Sequence, residues 1–245
     1  MLLSFTRIIL GQNMKIKRPN VVIVISDDHR HDWMQHKNTL MITPNLDRLA
    51  KHGWSFPNAF ANAGVSSPSR ASFLTGKYMH QASAPDIVWD NNSFLRTQIM
   101  FPQRLQELCY KTGYIGKFHL GEENKPKSGF DLWASFQFVG EFFNQNIWVN
   151  GVEKKMQGFT DDNLTTMAEK TIKEWAHEDQ PFCLIVGLKS PHIPFTYPER
   201  MKKYYEDTEF PEPETFYFDY SDSKPGMANN LINARKWPHA IPKYG

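Results

Sequence analysis

The sequence predicts an α/β fold with a largely parallel central sheet. Two observations carry that prediction. Asn20–Asp28 (NVVIVISDD) and Phe182–Ser190 (FCLIVGLKS) are short, almost unbroken apolar runs, the pattern of strands covered on both faces. Between them lie stretches with helix start and stop residues, and strands alternating with helices build parallel sheets.

Each element has its own signal. NVVIVISDD is β-branched up to two acids and reads as a fully buried parallel strand. TPNLDRLAKHG has Thr43 as N-cap, Pro44 at the first helical position and Gly53 as stop. Pro68 opens a short helix, SRASFLTG. FPQRLQELCYKTG repeats the helical pattern and ends at Gly113, and YIGKF (Tyr114–Phe118) is a second short strand. TDDNLTTMAEKTIKEWAHEDQ (Thr160–Gln180) is a long amphipathic helix. Its stripe is Leu164, Met167, Ala168, Thr171, Ile172 and Trp175, and the acids at its start suit the helix dipole. FCLIVGLKS is the third buried strand. From Pro191 to Gly245 the chain turns to prolines and aromatics with no sustained strand. That composition suits a segment lying over a folded body.

The bulk numbers narrow the function. A chain of 245 residues with 40% hydrophobic and 22% charged residues is an ordinary globular composition. A net charge of +2 with no Lys/Arg block excludes the basic field of a nucleic-acid binder. Cys109 and Cys183 sit in a helix pattern and a strand pattern and read as buried, reduced thiols. They make neither a disulfide framework nor a cysteine metal site. In MLLSFTRIILGQNMKIKRPN, Arg7 interrupts the apolar run and no small-residue cleavage site follows, so residues 1–18 read as an extension and not a signal peptide. Met14 offers an alternative start. No stretch has the length of a membrane span, and the expected location is cytoplasmic.

The chemistry-bearing residues fall at strand and helix ends. Asp27 and Asp28 close the first strand, where open α/β sheets bind ligands. Adjacent carboxylates repel unless a cation joins them, and hard oxygen donors suit Ca²⁺ or Mg²⁺; the ordinary alternative is a solvated turn. Lys117 and His119 lie two apart in GKFHLG, on one face of a strand, and together can hold an anion and move a proton. His192 follows the third strand in KSPHIPF, its loop stiffened by prolines. In GVSSPSRASFLTG, Ser66 lies just before the N-terminus of the Pro68 helix, where free N–H groups and the dipole favour an anion, and Arg70 follows one turn in. Helix capping accounts for one hydroxyl but not for Arg70 together with the acids, the Lys-x-His pair and the histidine loop.

Ser66-Ser67-Pro68-Ser69-Arg70, followed by Leu74-Thr75-Gly76, resembles the sulfatase signature (Cys or Ser)-x-Pro-Ser-Arg-x-x-x-x-Thr-Gly. The resemblance runs from about Pro19 to the end and includes PNVVIVISDD, TPNLDRLAKHG, GKFHLG and SPHIPF in the family's order. It implies the α/β/α sandwich of the alkaline phosphatase superfamily. It also implies that Ser66 is oxidised to formylglycine, whose aldehyde hydrates to a geminal diol. One hydroxyl attacks sulfur and displaces the alcohol; the other helps expel sulfate and restores the aldehyde. By the same matching the metal, Ca²⁺ with Mg²⁺ as alternative, binds Asp27, Asp28 and residue 66. Arg70 and Lys117 stabilise the charge on formylglycine and sulfate, His119 takes a diol proton, and His192 binds sulfate and protonates the leaving oxygen.

Two departures qualify the match. Serine at position 66, where many members have cysteine, resembles prokaryotic enzymes matured by a radical enzyme. A later Asp-Asn or Asp-His ligand pair has no counterpart, so residues 19–245 resemble the N-terminal part of a truncated sulfatase catalytic domain. GFDLW, the turn at Val149–Gly151 and EFPEPETFYFDYS resemble sulfatases of N-acetylglucosamine 6-sulfate or heparan-type sugars. The expected partners are a sulfated glycan or small molecule and the radical maturase, with neither nucleic acid nor membrane. Three readings stand at this point: a sulfuric ester hydrolase, a phosphate or phosphonate ester hydrolase of the same superfamily, and an inactive fragment that only binds an anion.

Overall fold

The structure is a computed structural model, and it describes residues 18–84, 86 and 98–212. Most of the N-terminal extension and the tail from residue 213, with most of its aromatics, lie outside the described residues.

A six-stranded sheet forms the centre. In chain order the elements are β1 (Val21–Ile25), α1 (Pro44–His52), α2 (Ser66–Thr75), α3 (Phe101–Glu107), β2 (Lys111–Lys117), β3 (Leu132–Phe136), β4 (Asn146–Val149), β5 (Val152–Lys155), α4 (Thr160–Trp175) and β6 (Phe182–Gly187), with a 3₁₀ turn at Glu199–Met201. The strand order is β1-β6-β2-β3-β4-β5. β1, β6, β2 and β3 run parallel, and β4 and β5 form an antiparallel hairpin on the edge. The hairpin turns at Asn150 (φ 49°) and Gly151 (φ 85°), the paired positive angles of a primed turn.

Alternation along the strands splits the core into two layers. Tyr114, Trp133, Cys183 and Ile185 pack with Ala71 and Leu74 of α2 and with Phe101 and Leu105 of α3. Ile115, Ala134, Leu184 and Val186 pack on the other face with Leu164, Ala168 and Trp175 of α4. Helices on both faces of a mostly parallel sheet make the expected α/β/α arrangement.

Several expectations need correction. β1 is not buried on both sides: Val22 and Val24 are 44% and 62% exposed, because no described element covers that face. α2 begins at Ser66, with Val65 as N-cap, so Ser66 is its first residue and Pro68 lies inside its first turn. A proline is tolerated there because the N–H it lacks has no intrahelical acceptor. α3 stops at Glu107, short of Gly113, and Cys109 takes the left-handed angle after it (φ 60°). Gly113 is instead a strand residue whose missing side chain leaves room for the Trp175 ring. α4 ends at Trp175, before Gln180. Cys183 is buried as expected, but Cys109 is exposed. β3, β4 and β5 had no clear sequence signal: β5 (VEKK) is exposed throughout, and β4 is only four residues long. Among the described residues no helix is long and apolar enough to cross a membrane.

Candidate functional site

The carboxyl ends of β1, β2 and β6 converge with the N-terminus of α2. Asp27 sits just past β1 and is 5% exposed. Its Oδ1 lies 3.4 Å from Ser66 Oγ and 3.4 Å from Arg70 Nη2, and Lys117 Nζ donates to its Oδ2. Lys117 Nζ also reaches Ser66 Oγ at 3.3 Å. Four of the residues singled out by sequence, Asp27, Ser66, Arg70 and Lys117, therefore form one contiguous cluster.

The cluster depends on groups that sequence reasoning missed. Arg70 Nη1 donates to the Lys117 carbonyl at 2.6 Å and lies 3.3 Å from the Tyr114 hydroxyl, which donates to the same carbonyl. Space for the guanidinium comes from Gly187, which pairs with Gly116 across β6 and β2. A Cβ at Gly187 would stand 2.6 Å from the Lys117 carbonyl oxygen and 3.3 Å from Arg70 Nη1. One at Gly116, where φ is 109°, would stand 2.0 Å from the Gly187 carbonyl oxygen. Glycine inside a strand signals close backbone approach, and that signal was present in YIGKF and LIVGL.

The histidines and Asp28 complete the rim. β2 ends at Lys117, and His119 follows in the left-handed region (φ 57°), so strand alternation does not place it. Instead Ser67 Oγ donates to the His119 carbonyl at 2.8 Å, tying it to α2. His119 is 3% exposed, and neither ring nitrogen has a hydrogen-bond partner. His192 Nδ1 lies 2.7 Å from the Ile193 carbonyl, an acceptor only, so Nδ1 carries a proton. Its Nε2 lies 3.8 Å from Asp28 Oδ2. Asp28 itself is exposed, with φ at 63°, whereas its neighbour Asp27 is buried.

The electrostatics follow from one buried carboxylate facing two cations. Burial opposes ionisation of Asp27, but Lys117 and Arg70 outweigh it and hold its carboxyl below the usual range. Burial pushes Lys117 down, with Arg70 adding repulsion against the attraction of Asp27. Burial also pushes His119 down to about 4, assisted by Lys117 and Arg70, so the ring is neutral near pH 7. The site thus holds an excess of fixed positive charge beside two unpartnered imidazole nitrogens. Such an arrangement receives an anion and accepts a proton.

Asp27, Asp28 and the residue 66 oxygen are hard donors. They suit a divalent cation in kind and supply part of the about six to eight oxygens that calcium takes. No group of three or more His, Cys, Asp or Glu that would hold a metal occurs among the described residues.

The profile of the sulfatase family matches residues 19–233. An N-acetylglucosamine-6-O-sulfatase of Bacteroides thetaiotaomicron is 33% identical over 213 residues, covering 85% of this chain and 37% of that protein. Human iduronate 2-sulfatase is 30% identical over 239 residues, covering 86% and 42%. The chain thus spans less than half the length of these relatives. A solved structure of a complex with its substrate D-glucosamine-2-N,6-O-disulfate superposes with a TM-score of 0.73 at 32% identity, over 83% of this chain and 41% of that one. The phosphonate monoester hydrolase of Agrobacterium radiobacter shares the fold, with a TM-score of 0.58 at 20% identity over 80% and 45%.

Proposed function

The chain belongs to the sulfatase family, and from that premise we propose that the whole protein removes sulfate from a sulfated sugar at the cluster around Ser66. The observation that carries this reading is the buried excess of positive charge, Lys117 and Arg70 against Asp27, set beside His119 with both ring nitrogens free. A sulfate ester is the matching anion. The likeness to an N-acetylglucosamine-6-O-sulfatase and to the structure holding a glucosamine disulfate supports a 6-sulfated glucosamine as substrate.

The family generally works through a formylglycine and a divalent metal. Here Ser66 would be the residue converted, by a radical-type maturase, and Asp27, Asp28 and residue 66 would hold the ion, for which their hard oxygens suit calcium, with magnesium as the alternative. As a formylglycine hydrate, position 66 would supply two hydroxyls on one carbon, one to attack sulfur and one to release sulfate, and a bound divalent ion would supply Lewis-acid charge stabilisation.

The protein's own groups then have distinct tasks. Arg70, locked against the Lys117 carbonyl, orients residue 66 and offsets its developing charge. Lys117 Nζ, within reach of the residue 66 oxygen, meets the sulfate oxygens where charge grows. His192 donates a proton from Nε2 to the ester oxygen as the S–O bond to the alcohol breaks. His119, neutral near pH 7, accepts the proton from the second hydroxyl as sulfate departs.

Peptide mass spectrometry across residue 66 of the natural protein tests the reading, with the expected result the loss of two hydrogens. Turnover of glucosamine 6-sulfate should accompany it. An unmodified serine with turnover of an aryl phosphate or a phosphonate ester would replace this reading with the second hydrolase reading. An unmodified serine with no turnover and no metal uptake would leave only anion binding.

A further inference from the structure

α4 begins with two adjacent carboxylates, Asp161 and Asp162, and their ordinary use is to face the positive end of the helix dipole. Their hydrogen bonds go elsewhere. Asp161 is 7% exposed. Its Oδ1 accepts the Lys189 N–H at 2.9 Å and its Oδ2 accepts the Ser190 N–H at 2.8 Å. A carboxylate holding two successive N–H groups fixes the direction in which the chain leaves β6. That exit bears directly on the site: the Ser190 carbonyl accepts the Asp27 N–H at 3.0 Å, and the Lys189 carbonyl accepts the His192 N–H at 3.1 Å.

Asp162 holds the far side of the same loop. Arg200, in the 3₁₀ turn beyond His192, pairs with both of its oxygens, Nη2 to Oδ1 at 2.6 Å. Lys189, 2% exposed, adds a tie of its own, with Nζ donating to the Val139 carbonyl at 2.8 Å. One helical turn therefore grips both ends of the segment that carries His192.

We propose that the Asp161–Asp162 pair is a positioning clamp, in which Asp161 sets Asp27 and His192 relative to each other and Asp162 secures the end of the loop through Arg200. The proposal rests on the sulfate ester reading of the site. Asp161 acts through backbone and does not touch the reacting atoms. A plain dipole role would affect stability and leave the chemistry alone.

Asp161→Asn in the full natural protein separates the two. The amide keeps the shape but turns a donor toward one of the two N–H groups. Hydrogen exchange, which needs no turnover, should quicken at residues 188–193 and at the Asp27 amide while β2 stays protected. With glucosamine 6-sulfate, kcat should fall by about 10- to 100-fold with KM little changed. The loss should be smaller for an aryl sulfate with an acidic phenol, which needs less help from the His192 proton. It should also shrink in a His192→Ala background, since coupled residues are not additive. Arg200→Gln, at an exposed position, should give the same signature more weakly and serves if Asp161→Asn does not fold. Unchanged exchange at 188–193 overturns the clamp. Equal losses on both esters, or an undiminished loss without His192, overturn the positioning role. A parent protein that turns over no sulfate ester overturns the reading of the site, while the exchange result still decides the clamp.

Discussion

α1 and α2 are neighbouring helices of similar length and opposite fates. α1 has the cleaner amphipathic pattern, with Leu46, Leu49 and Ala50 on one side, yet none of its residues is buried. Trp54, Phe56 and Phe60, which follow it, are 89%, 75% and 88% exposed. α2 reads SSPSRASFLT, a mixture of hydroxyls, proline and arginine, and buries Ser67, Pro68, Arg70, Ala71, Ser72 and Leu74. Periodicity reports what a helix is able to bury. Burial itself requires a partner surface, and of these two helices only α2 has one among the described residues: the sheet face of Tyr114, Trp133 and Ile185, with Gly187 and the Lys117 end of β2 receiving Arg70.

The contrast can be broken from either side. The largest effect is expected from Lys117→Ala, which leaves Asp27 buried and facing Arg70 alone. Removing one partner of a buried pair destabilises by about 3–5 kcal/mol, read by urea unfolding, and turnover should vanish; a stable, active variant would mean that the cluster is not a unit.

His119 adds a pH signature. Its folded pKa of about 4 lies below the ordinary 6.5, so the unfolded chain takes the proton first as pH falls. The stability it contributes is present above about pH 6.5 and is lost as pH falls toward 4, a span worth about 3 kcal/mol. Lys117, Arg70, Asp27 and His192 are the charged or titratable groups that act on this ring. His119→Gln should flatten the stability profile over that window, and an unaltered slope would show that the ring is not held neutral by its surroundings.

A smaller loss is expected from Gly187→Ala. The new methyl group meets backbone, the Lys117 carbonyl at 2.6 Å, and β2 and β6 must part. About 1–3 kcal/mol is the usual penalty of overpacking, with reduced turnover because Arg70 shifts. Full stability and full rate together would refute Gly187 as the seat of Arg70.

The smallest effect belongs to the other helix's neighbourhood. Phe60→Ser should change stability by no more than about 0.5 kcal/mol, as exposed positions do. A loss well above 1 kcal/mol would show that residues outside the described ones cover this surface, and the contrast between the helices would disappear.

Much of the fold and most of the site were legible locally. NVVIVI and FCLIVGL declared strands through their apolar runs, although only FCLIVGL is covered along its length, and their pairing was not legible in either run. TDDNLTTMAEKTIKEW declared α4 through its stripe. β4 and β5 stayed hidden because a short edge hairpin needs little apolar surface. Ser66 was placed just before the N-terminus of its helix, because Pro68 was read as the first helical residue when the third also tolerates it. The two acids of α4 were read as dipole partners, since nothing in their own neighbourhood reveals that Asp161 holds residues 189 and 190.

By itself the sequence determined the strands with apolar runs, their alternation with helices and the identities of Asp27, Ser66, Arg70, Lys117, His119 and His192, because residue type and spacing are properties of the chain. Tertiary structure alone decided the ionised state of Asp27, the neutrality of His119 and the seat of Arg70 against Gly187. Charge states depend on burial and on distances between groups far apart in sequence, and only the packing of β1, β2, β6 and α2 brings residues 27, 70, 117 and 192 within each other's fields.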